Sequence, residues 1–216
     1  MAAIADTLPV APPAARSAPR SHPFRRLLSR PAAAAGLVAI VFFVALAVLA
    51  PVVSPYDPLA TSWTAVRKGP SAAHWFGTDE IGRDVLSRVI WGARASLLAG
   101  VVSVLISLTI GVPIGLLAGY AGGKVDMLIS RLTDAVLACP FLILAIALAA
   151  FLGPSLTNAM IAIGVSATPV FIRLTRGQTL AIKAEEFVLA ARAIGNPPWR
   201  VALAHVLPNV VPALIV

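Results

Sequence analysis

Apolar and polar stretches alternate along the chain, and the apolar stretches are long. Four mostly apolar segments cover residues 32–53, 95–120, 127–152 and 156–174, and a fifth covers 201–216. The first has 22 residues, about 33 Å as an α-helix, which is enough to cross a hydrocarbon core of roughly 30 Å. The pattern predicts an all-α, polytopic transmembrane helix bundle with four complete spans, truncated within the fifth.

Residues 1–30 form a polar segment before the first span. They are rich in Ala, Pro, Ser and Arg and contain one acid, Asp6, so we expect a disordered basic tail. A cleaved secretory signal has an apolar stretch of only about 7–15 residues, and the tail lacks the amphipathic pattern of a transit peptide. We therefore expect the apolar segment 32–53 to be a retained membrane anchor.

The composition also requires a bilayer. Only 12% of the 216 residues are charged, whereas soluble domains carry about 25%. The net charge of +8 is of the sign that nucleic-acid-binding proteins carry. The basic residues, however, flank apolar segments and form no dense patch. We therefore expect no nucleic-acid binding. Cys139, the single cysteine, forms no internal disulfide and no metal cluster, and we expect it to be a small buried side chain.

The distribution of basic residues predicts the orientation in the membrane. Of the 17 Lys and Arg residues, five fall in residues 54–94 and the other 12 lie on the opposite side of the predicted spans. Because short cytoplasmic segments are enriched in Lys and Arg, we expect a cytoplasmic N-terminus. The segment 54–94, called the outer loop below, then faces outward, and the segment 176–200 faces the cytoplasm.

The outer loop carries a dense group of charges between His74 and Leu97. One histidine with scattered carboxylates gives no metal-ligand spacing. The run 77–79 reads as a turn, with Thr78 or Asp79 able to cap a helix, and apolar or small residues recur at helical spacing from Asp84 onward. The residues by themselves predict an interfacial helix that leads into the second span.

The cytoplasmic segment 176–200 predicts a short amphipathic helix–turn–helix. Its small apolar side chains fall on one side of a helix, and its charged ones project elsewhere: Phe187, Ala190, Ala191 and Ile194 against Glu185, Glu186 and Arg192. Gly195 can end the helix in a left-handed turn, and Pro198 can open the next helix. The face lacks the bulky Trp and Leu of an interfacial helix lying on lipid, so a protein-docking element is favoured.

Other features inside the predicted spans have structural interpretations. Arg131 and Asp134 are three residues apart and can pair on one helix face. Glycines every fourth residue provide a small face for close helix contact: Gly111, Gly115 and Gly119. Three prolines within spans can kink helices or distort packing: Pro113, Pro140 and Pro169. A Ser-His-Asp set or an HExxH motif is absent from the sequence, which disfavours a membrane enzyme.

Two motifs together carry a family resemblance over about Pro31 to the end of the chain. The cytoplasmic element resembles the EAA loop of ABC importer permeases, with Ala190-Ala191, Gly195 and Leu207-Pro208 at that family's spacing. The outer run GTDEIGRDVLSRVIWGAR and the run RLTRGQTL at 173–180 look like those of dipeptide, oligopeptide and nickel permeases. The outer run matches that signature at Gly77, Thr78, Asp79, Gly82, Arg83, Asp84 and Arg94. Two positions depart from the EAA pattern: Leu189 replaces its glutamate, and Asn196-Pro197-Pro198 replaces a softer turn.

The resemblance implies a fold, a task and partners. The fold would be that of a type I ABC importer permease in a bacterial inner membrane. A docking loop would seat in a cytoplasmic ATPase through Glu185, Glu186, Phe187, Ala190, Ala191, Arg192 and Gly195. The implied partners are a second permease, two ATPase subunits and an external binding protein. No catalytic residue, metal or cofactor is implied, and the chain has no GxxxxGK[ST] nucleotide motif.

The implied substrate is a peptide, with nickel or another solute as an alternative. A stand-alone secondary transporter or channel is the alternative function, and it would need no docking loop.

Overall fold

The structure is a computed structural model, and it describes residues 30–215. The predicted tail, 1–30, therefore lies outside the described residues except for Arg30, as does Val216. The described residues form eight α-helices in this order: α1 Pro31–Val53, α2 Val85–Ala121, α3 Gly123–Leu137, α4 Phe141–Leu152, α5 Leu156–Lys183, α6 Glu186–Ala193, α7 Pro198–Val201 and α8 Leu207–Ile215. A π-helical turn, Ala202–Val206, joins the last two. The described residues contain no β-strand, which confirms the all-α class.

The chain divides into two compact units with a boundary inside α1, after Ala45. The described part of the first unit, residues 30–45, holds only the N-terminal half of this helix. Its apolar side chains are exposed, including Val38, Phe42 and Phe43. An apolar helix without a polar face is typical of a membrane span, and α1 matches the predicted span 32–53 within one residue.

Helix α2 is one continuous helix of 37 residues, about 55 Å long. The predicted interfacial helix and the predicted second span at 95–120 are thus parts of a single element. Its N-cap is Asp84, whose carboxylate accepts a hydrogen bond from the Ser87 N–H at 2.8 Å. The prediction that Thr78 or Asp79 caps this helix was wrong, because both side chains serve the preceding loop instead.

The third predicted span, 127–152, is broken. Helices α3 and α4 meet at an angle of 86°, with the break at residues 138–140. Pro140 provides the reason, because its ring disfavours helical conformation at the preceding residue, Cys139. Cys139 itself is only half-buried at this break, so the expectation of a buried cysteine was wrong.

Helix α5 extends further than predicted. It begins after Ser155, whose hydroxyl accepts from the Asn158 N–H at 3.0 Å, and it continues to Lys183, nine residues beyond the predicted end at 174. The first part of the predicted cytoplasmic segment is therefore the last two turns of α5. The fifth predicted apolar stretch, 201–216, falls on the end of α7, the π-helical turn and α8.

Helices α2 and α5 pack closely along their length. A Cβ atom added at Gly115 would lie 2.5 Å from the Ile172 carbonyl oxygen, and one added at Gly119 would lie 2.7 Å from the Thr179 Cβ. The same crowding occurs at Gly111 against Phe171. The predicted small-residue face is therefore the contact surface between these helices, since only glycine permits this approach.

The order of these contacts shows that α2 and α5 run parallel. Ser103 donates to the Met160 carbonyl at 2.9 Å, and Ser107 donates to the Gly164 carbonyl at 2.7 Å. The residue numbers rise together in both helices from these bonds to the Gly119 contact. The chain between them must then return from one end of the pair to the other, so the bent α3–α4 segment is a broken crossing and not a re-entrant loop.

Candidate functional site

The predicted docking loop is organised by the turn between α6 and α7. Gly195 has φ +85°, the left-handed conformation that the sequence predicts for it. Asn196 closes the end of α6, because its side-chain amide donates to the Ala191 carbonyl at 2.9 Å. Pro198 is the first residue of α7. At that position an N–H has no acceptor within the helix, so a proline, which lacks the N–H, costs no hydrogen bond. The result is the short helix–turn–helix that the sequence predicts.

One face of α6 is buried against the bundle. Val188 and Ala191 are 0% and 5% exposed and belong to an apolar cluster with Leu116 of α2 and with Val201 and Val206. Ala191 was predicted to lie on the docking face, and the structure places it on the opposite, buried side. The cluster joins α6 to the Val201–Val206 segment and includes Leu116 of α2, and the α6 backbone contacts α5, α7 and the π-helical turn.

The other face of α6 is open. Phe187 and Ile194 are 45% and 80% exposed, and Ala190 lies exposed between them on the same face. Glu185 and Glu186 at the start of the helix are also exposed. The predicted docking residues thus separate into an exposed apolar face with two acids and an inward-facing pair, Ala191 and Arg192.

Arg192 connects α6 to the end of α2. Its guanidinium lies 5.1 Å from the ring centroid of Tyr120, within the range of a cation–π interaction. Lys183 reaches the same residue, because its ammonium donates to the Tyr120 carbonyl at 2.7 Å and lies 5.6 Å from its ring. Sequence reasoning missed Tyr120 and Lys183; the signal available was a lone tyrosine at the end of a long apolar segment.

Two ion pairs tie α3 to α5 near this end of the bundle. Arg176 binds both carboxylate oxygens of Asp126, with its Nη2 donating to Oδ2 at 2.7 Å. Arg173 donates to Asp134 at 2.5 Å. The predicted pairing of Asp134 with Arg131 was wrong, because the partner comes from a neighbouring helix. These pairs fix α3, the first half of the broken crossing, against α5.

The outer-loop signature forms an internal scaffold. Asp79 accepts from the backbone N–H groups of Ile81 and Arg83 at 3.0 and 2.9 Å, and from the side chains of Arg83 and Arg88 at 2.8 and 2.5 Å. The Arg83 and Ile81 bonds hold the pKa of Asp79 well below its usual range. The carboxylate therefore stays ionised and joins the turn to the first part of α2.

The rest of the signature supports the same loop. Thr78 is buried and bonds to the Ala65 carbonyl and to the Lys68 N–H, the latter at 3.0 Å. Gly77 and Gly82 have φ of +74° and +79°.

Asp84 joins the signature to α2. Burial opposes its ionisation, but bonds from Ser87 and His74 outweigh this and lower its pKa. Arg94 stands apart on α2, 5.6 Å from the Trp91 ring.

The described residues hold no group of three or more His, Cys, Asp or Glu side chains placed to bind a metal ion. Six of the seven signature residues instead hold the outer loop together and join it to the start of α2. The outer motif is thus a folding element, while α6 has an exposed apolar face.

Two family models match the chain. Residues 111–216 match the binding-protein-dependent transport system inner membrane component, and residues 22–70 match the N-terminal transmembrane domain of oligopeptide transport permease C. The first match covers the parallel helix pair from Gly111 onward and the predicted docking loop.

Curated relatives extend over most of the chain. It is 43% identical over 198 residues to a dipeptide transport system permease protein of Alkalihalophilus pseudofirmus, covering 92% of this chain and 65% of the relative. It is 44% identical over 190 residues to a probable D,D-dipeptide transport system permease protein of Escherichia coli, covering 88% and 64%. A glutathione transport system permease protein of Pectobacterium atrosepticum is 37% identical over 215 residues, covering 99% and 71%.

The chain thus spans about two thirds of the length of these relatives. The all-helical bundle has the type I ABC permease architecture. On the strength of these matches and its apolar helices, the chain belongs to the multi-pass family of binding-protein-dependent transport system inner membrane components.

Proposed function

We propose that this protein is a membrane-spanning permease subunit of an ATP-driven ABC importer and performs no bond-breaking chemistry itself. It would pair with a second permease, two cytoplasmic ATPase subunits and an extracytoplasmic binding protein. Its relatives are named for dipeptides, D,D-dipeptides and glutathione, all short peptides, and a short peptide is the substrate class we propose. The runner-up substrate is nickel, and the runner-up function is a stand-alone transporter or channel.

The observation that carries the proposal is the two-faced helix α6. Its Val188 and Ala191 side is buried in an apolar cluster that includes Leu116 of α2, while its Phe187, Ala190 and Ile194 side is open. A lone transporter has no need of a short helix that is fixed to the bundle on one side and bare and apolar on the other. A partner subunit that covers the open face could move α6 and, with it, α2.

The contacts between α6 and the end of α2 suggest how a movement of α6 would be transmitted to the membrane helices. The α6 cluster includes Leu116, and Arg192 lies on Tyr120, so both contacts act on the last turns of α2. Because Gly115 and Gly119 let α2 lie directly against α5, the two helices would shift as one body. ATP can drive this only if the ATPase binds one state of the permease more tightly than the other.

The proposed orientation places the N-terminus and α6 on the cytoplasmic side. The 12-to-5 distribution of Lys and Arg supports it. The ion pairs and basic side chains described above lie at the same end of α2 and α5 as α6, which agrees with that assignment.

The test is a pair of substitutions at Gly195 in the assembled transporter. Valine is strained at φ +85°, whereas asparagine tolerates the left-handed conformation, and there is open space around the position for either. We expect Gly195→Val to reduce ATPase co-purification and peptide uptake by roughly tenfold, the effect of about 1.4 kcal/mol. Gly195→Asn should keep both close to the parent.

If both variants co-purify the ATPase and take up peptide as well as the parent does, this loop is not the docking element. The stand-alone transporter would then be favoured. Membrane insertion of both variants, measured by fractionation, separates loss of docking from loss of the protein. Uptake of labelled dipeptide against labelled nickel then decides between the two substrate classes.

A further inference from the structure

Two adjoining cavities flank Tyr120, and they differ in chemistry. The first has a volume of about 380 Å³ and is lined by Tyr120, Lys183, Arg192, Asn196 and Pro198. The second, of about 370 Å³, is lined only by apolar and aromatic side chains, among them Pro113, Leu117, Trp199 and Leu203. Tyr120 and Pro198 line both cavities, so the cationic and apolar compartments are neighbours.

The cationic compartment has two positive charges and no carboxylate of its own. Among residues 30–215, neither Lys183 nor Arg192 has a carboxylate within the 4.0 Å of an ion pair. Asp126 is close enough for a long-range electrostatic interaction with Lys183. Both of its carboxylate oxygens, however, already accept hydrogen bonds from Arg176. The Arg192 Nε is buried and has no acceptor in the described part of the chain. Two like charges beside one cavity favour an anion within it.

The apolar compartment is open to the surroundings of the bundle. Leu117, Trp199 and Leu203 are 55%, 67% and 53% exposed. Tyr120 ends the apolar part of α2, and the charged Lys124 follows, which is where a tyrosine marks the membrane interface. The cationic compartment is therefore at headgroup depth, and the apolar one lies beside the last apolar turns of α2.

We propose that this bipartite pocket binds one anionic phospholipid. Lys183 and Arg192 would hold its phosphodiester, and the surface formed by Pro113, Leu117 and Leu203 would hold an acyl chain. An anion joined to an apolar chain matches both compartments at once, and basic pockets of transmembrane bundles on the cytoplasmic side are known to bind such headgroups. The lipid would lie against α2, α7 and the turn after α6, beneath the docking helix.

The test is lipid titration of the purified chain in a non-ionic detergent, followed by native mass spectrometry. Phosphatidylglycerol is compared with phosphatidylcholine of the same acyl chains. We expect tighter binding of phosphatidylglycerol, weakened roughly fivefold by Lys183→Gln and again by Arg192→Gln, as expected for one charge each. Lys183→Gln keeps a donor for the Tyr120 carbonyl. Arg200→Gln is the control, since Arg200 is an exposed cation nearby that lines neither cavity.

Further measurements test whether the bound anion is a lipid headgroup or free phosphate, and whether each variant is folded. Arg192→Lys should restore binding to within about twofold, and circular dichroism should show unchanged helix content for every variant. Leu203→Gln should weaken long-chain phosphatidylglycerol more than a short-chain form. Inorganic phosphate at millimolar concentration should not displace the lipid.

Four results would overturn the proposal. They are equal binding of the two lipids, an Arg200→Gln effect as large as that of Arg192→Gln, displacement by inorganic phosphate alone, and exclusion of the lipid from the assembled transporter. The last would make the pocket a contact between subunits. None of these results depends on ATPase docking, so the lipid site and the proposed function can fail separately.

Discussion

The outer loop and the predicted docking helix α6 use their side chains in opposite ways. In the outer loop, Asp79, Arg83 and Asp84 are all bonded to other parts of the same loop or to the start of α2. In α6, Glu185 and Glu186 are exposed and form no ion pair with any described residue. The difference teaches that the denser charge pattern marks an internal scaffold, whereas the sparser one leaves its acidic side chains exposed.

The glycines of the two regions differ in the same way. A Cβ at Gly82 would lie 1.9 Å from the Ser62 carbonyl oxygen, so the loop backbone is packed on this residue. Gly195 has a similar φ, yet nothing lies within 4 Å of its added Cβ. Gly82 is required by both conformation and space, and Gly195 by conformation alone.

The largest effect should come from Gly82→Ala. The new methyl group collides with backbone, which cannot rotate away as a side chain can, and φ +79° is unfavourable for alanine as well. We expect the outer loop to lose more than about 3 kcal/mol of local stability. Hydrogen exchange of residues 62–84 measures this directly.

Gly69→Ala is the matched control in the same loop, because no atom lies within 4 Å of its added Cβ. It should leave exchange almost unchanged. Protection that survives Gly82→Ala would mean that the loop adjusts easily, and the contrast with α6 would then be lost.

The next largest effect should come from lowering the pH, which weakens the outer loop. Because the pKa values of Asp79 and Asp84 are lowered in the folded loop, their stabilisation is complete above the ordinary value of 3.8 and is lost as the pH falls through the folded values. We expect loop protection, corrected for intrinsic exchange, to be constant from pH 7 to about pH 5 and to fall only in stronger acid. Asp79→Asn should lower protection at pH 7 and reduce its acid dependence.

The α6 helix provides the internal control for that titration. Its buried contacts are apolar, so exchange within Glu186–Ala193 should be independent of these two carboxylates. A parallel loss of protection in both regions on acidification would show that Asp79 acts on the whole bundle and not on the outer loop alone.

Adjacent residues of α6 should differ in effect. Val188 is 0% exposed, so Val188→Ala removes two buried methyl groups and should destabilise the helical bundle by about 2 kcal/mol. Phe187 is 45% exposed, so Phe187→Ala should change stability by less than about 0.5 kcal/mol. Thermal unfolding in detergent measures both changes.

ATPase co-purification should rank these two variants differently. Phe187→Ala should weaken it despite a stable fold, because the side chain belongs to the open face. If Phe187→Ala changes neither stability nor association, the open face is not the docking surface.

Much of the fold could be predicted from local pattern. The length of the apolar segments predicts α1 and the core of α2, the glycine spacing predicts the α2 contact surface, and Gly195 with Pro198 predicts the turn after α6. Each of these depends on properties of neighbouring residues, such as allowed φ or helical period, that the sequence displays directly.

The remaining features depend on contacts between distant residues. The break at Pro140 could be suspected from sequence, but its 86° angle depends on how α3 and α4 pack. The pairing of Asp134 with Arg173, 39 positions away, competes with the local choice of Arg131, and only tertiary packing decides between them. Ala191 was assigned to the wrong face of α6 because helical period gives two faces without saying which one meets α2.

The smallest effect should be at the edge of the outer loop. Arg67 and Glu80 form an ion pair of 2.9 Å, but their side chains are 71% and 80% exposed. Exposed pairs contribute little because water screens the charges and ordering two long side chains costs entropy. We expect Glu80→Gln to change loop protection by less than about 0.5 kcal/mol. Protection that falls as far as in Asp79→Asn would mean that charge density itself, and not the four hydrogen bonds accepted by one carboxylate, stabilises the outer loop.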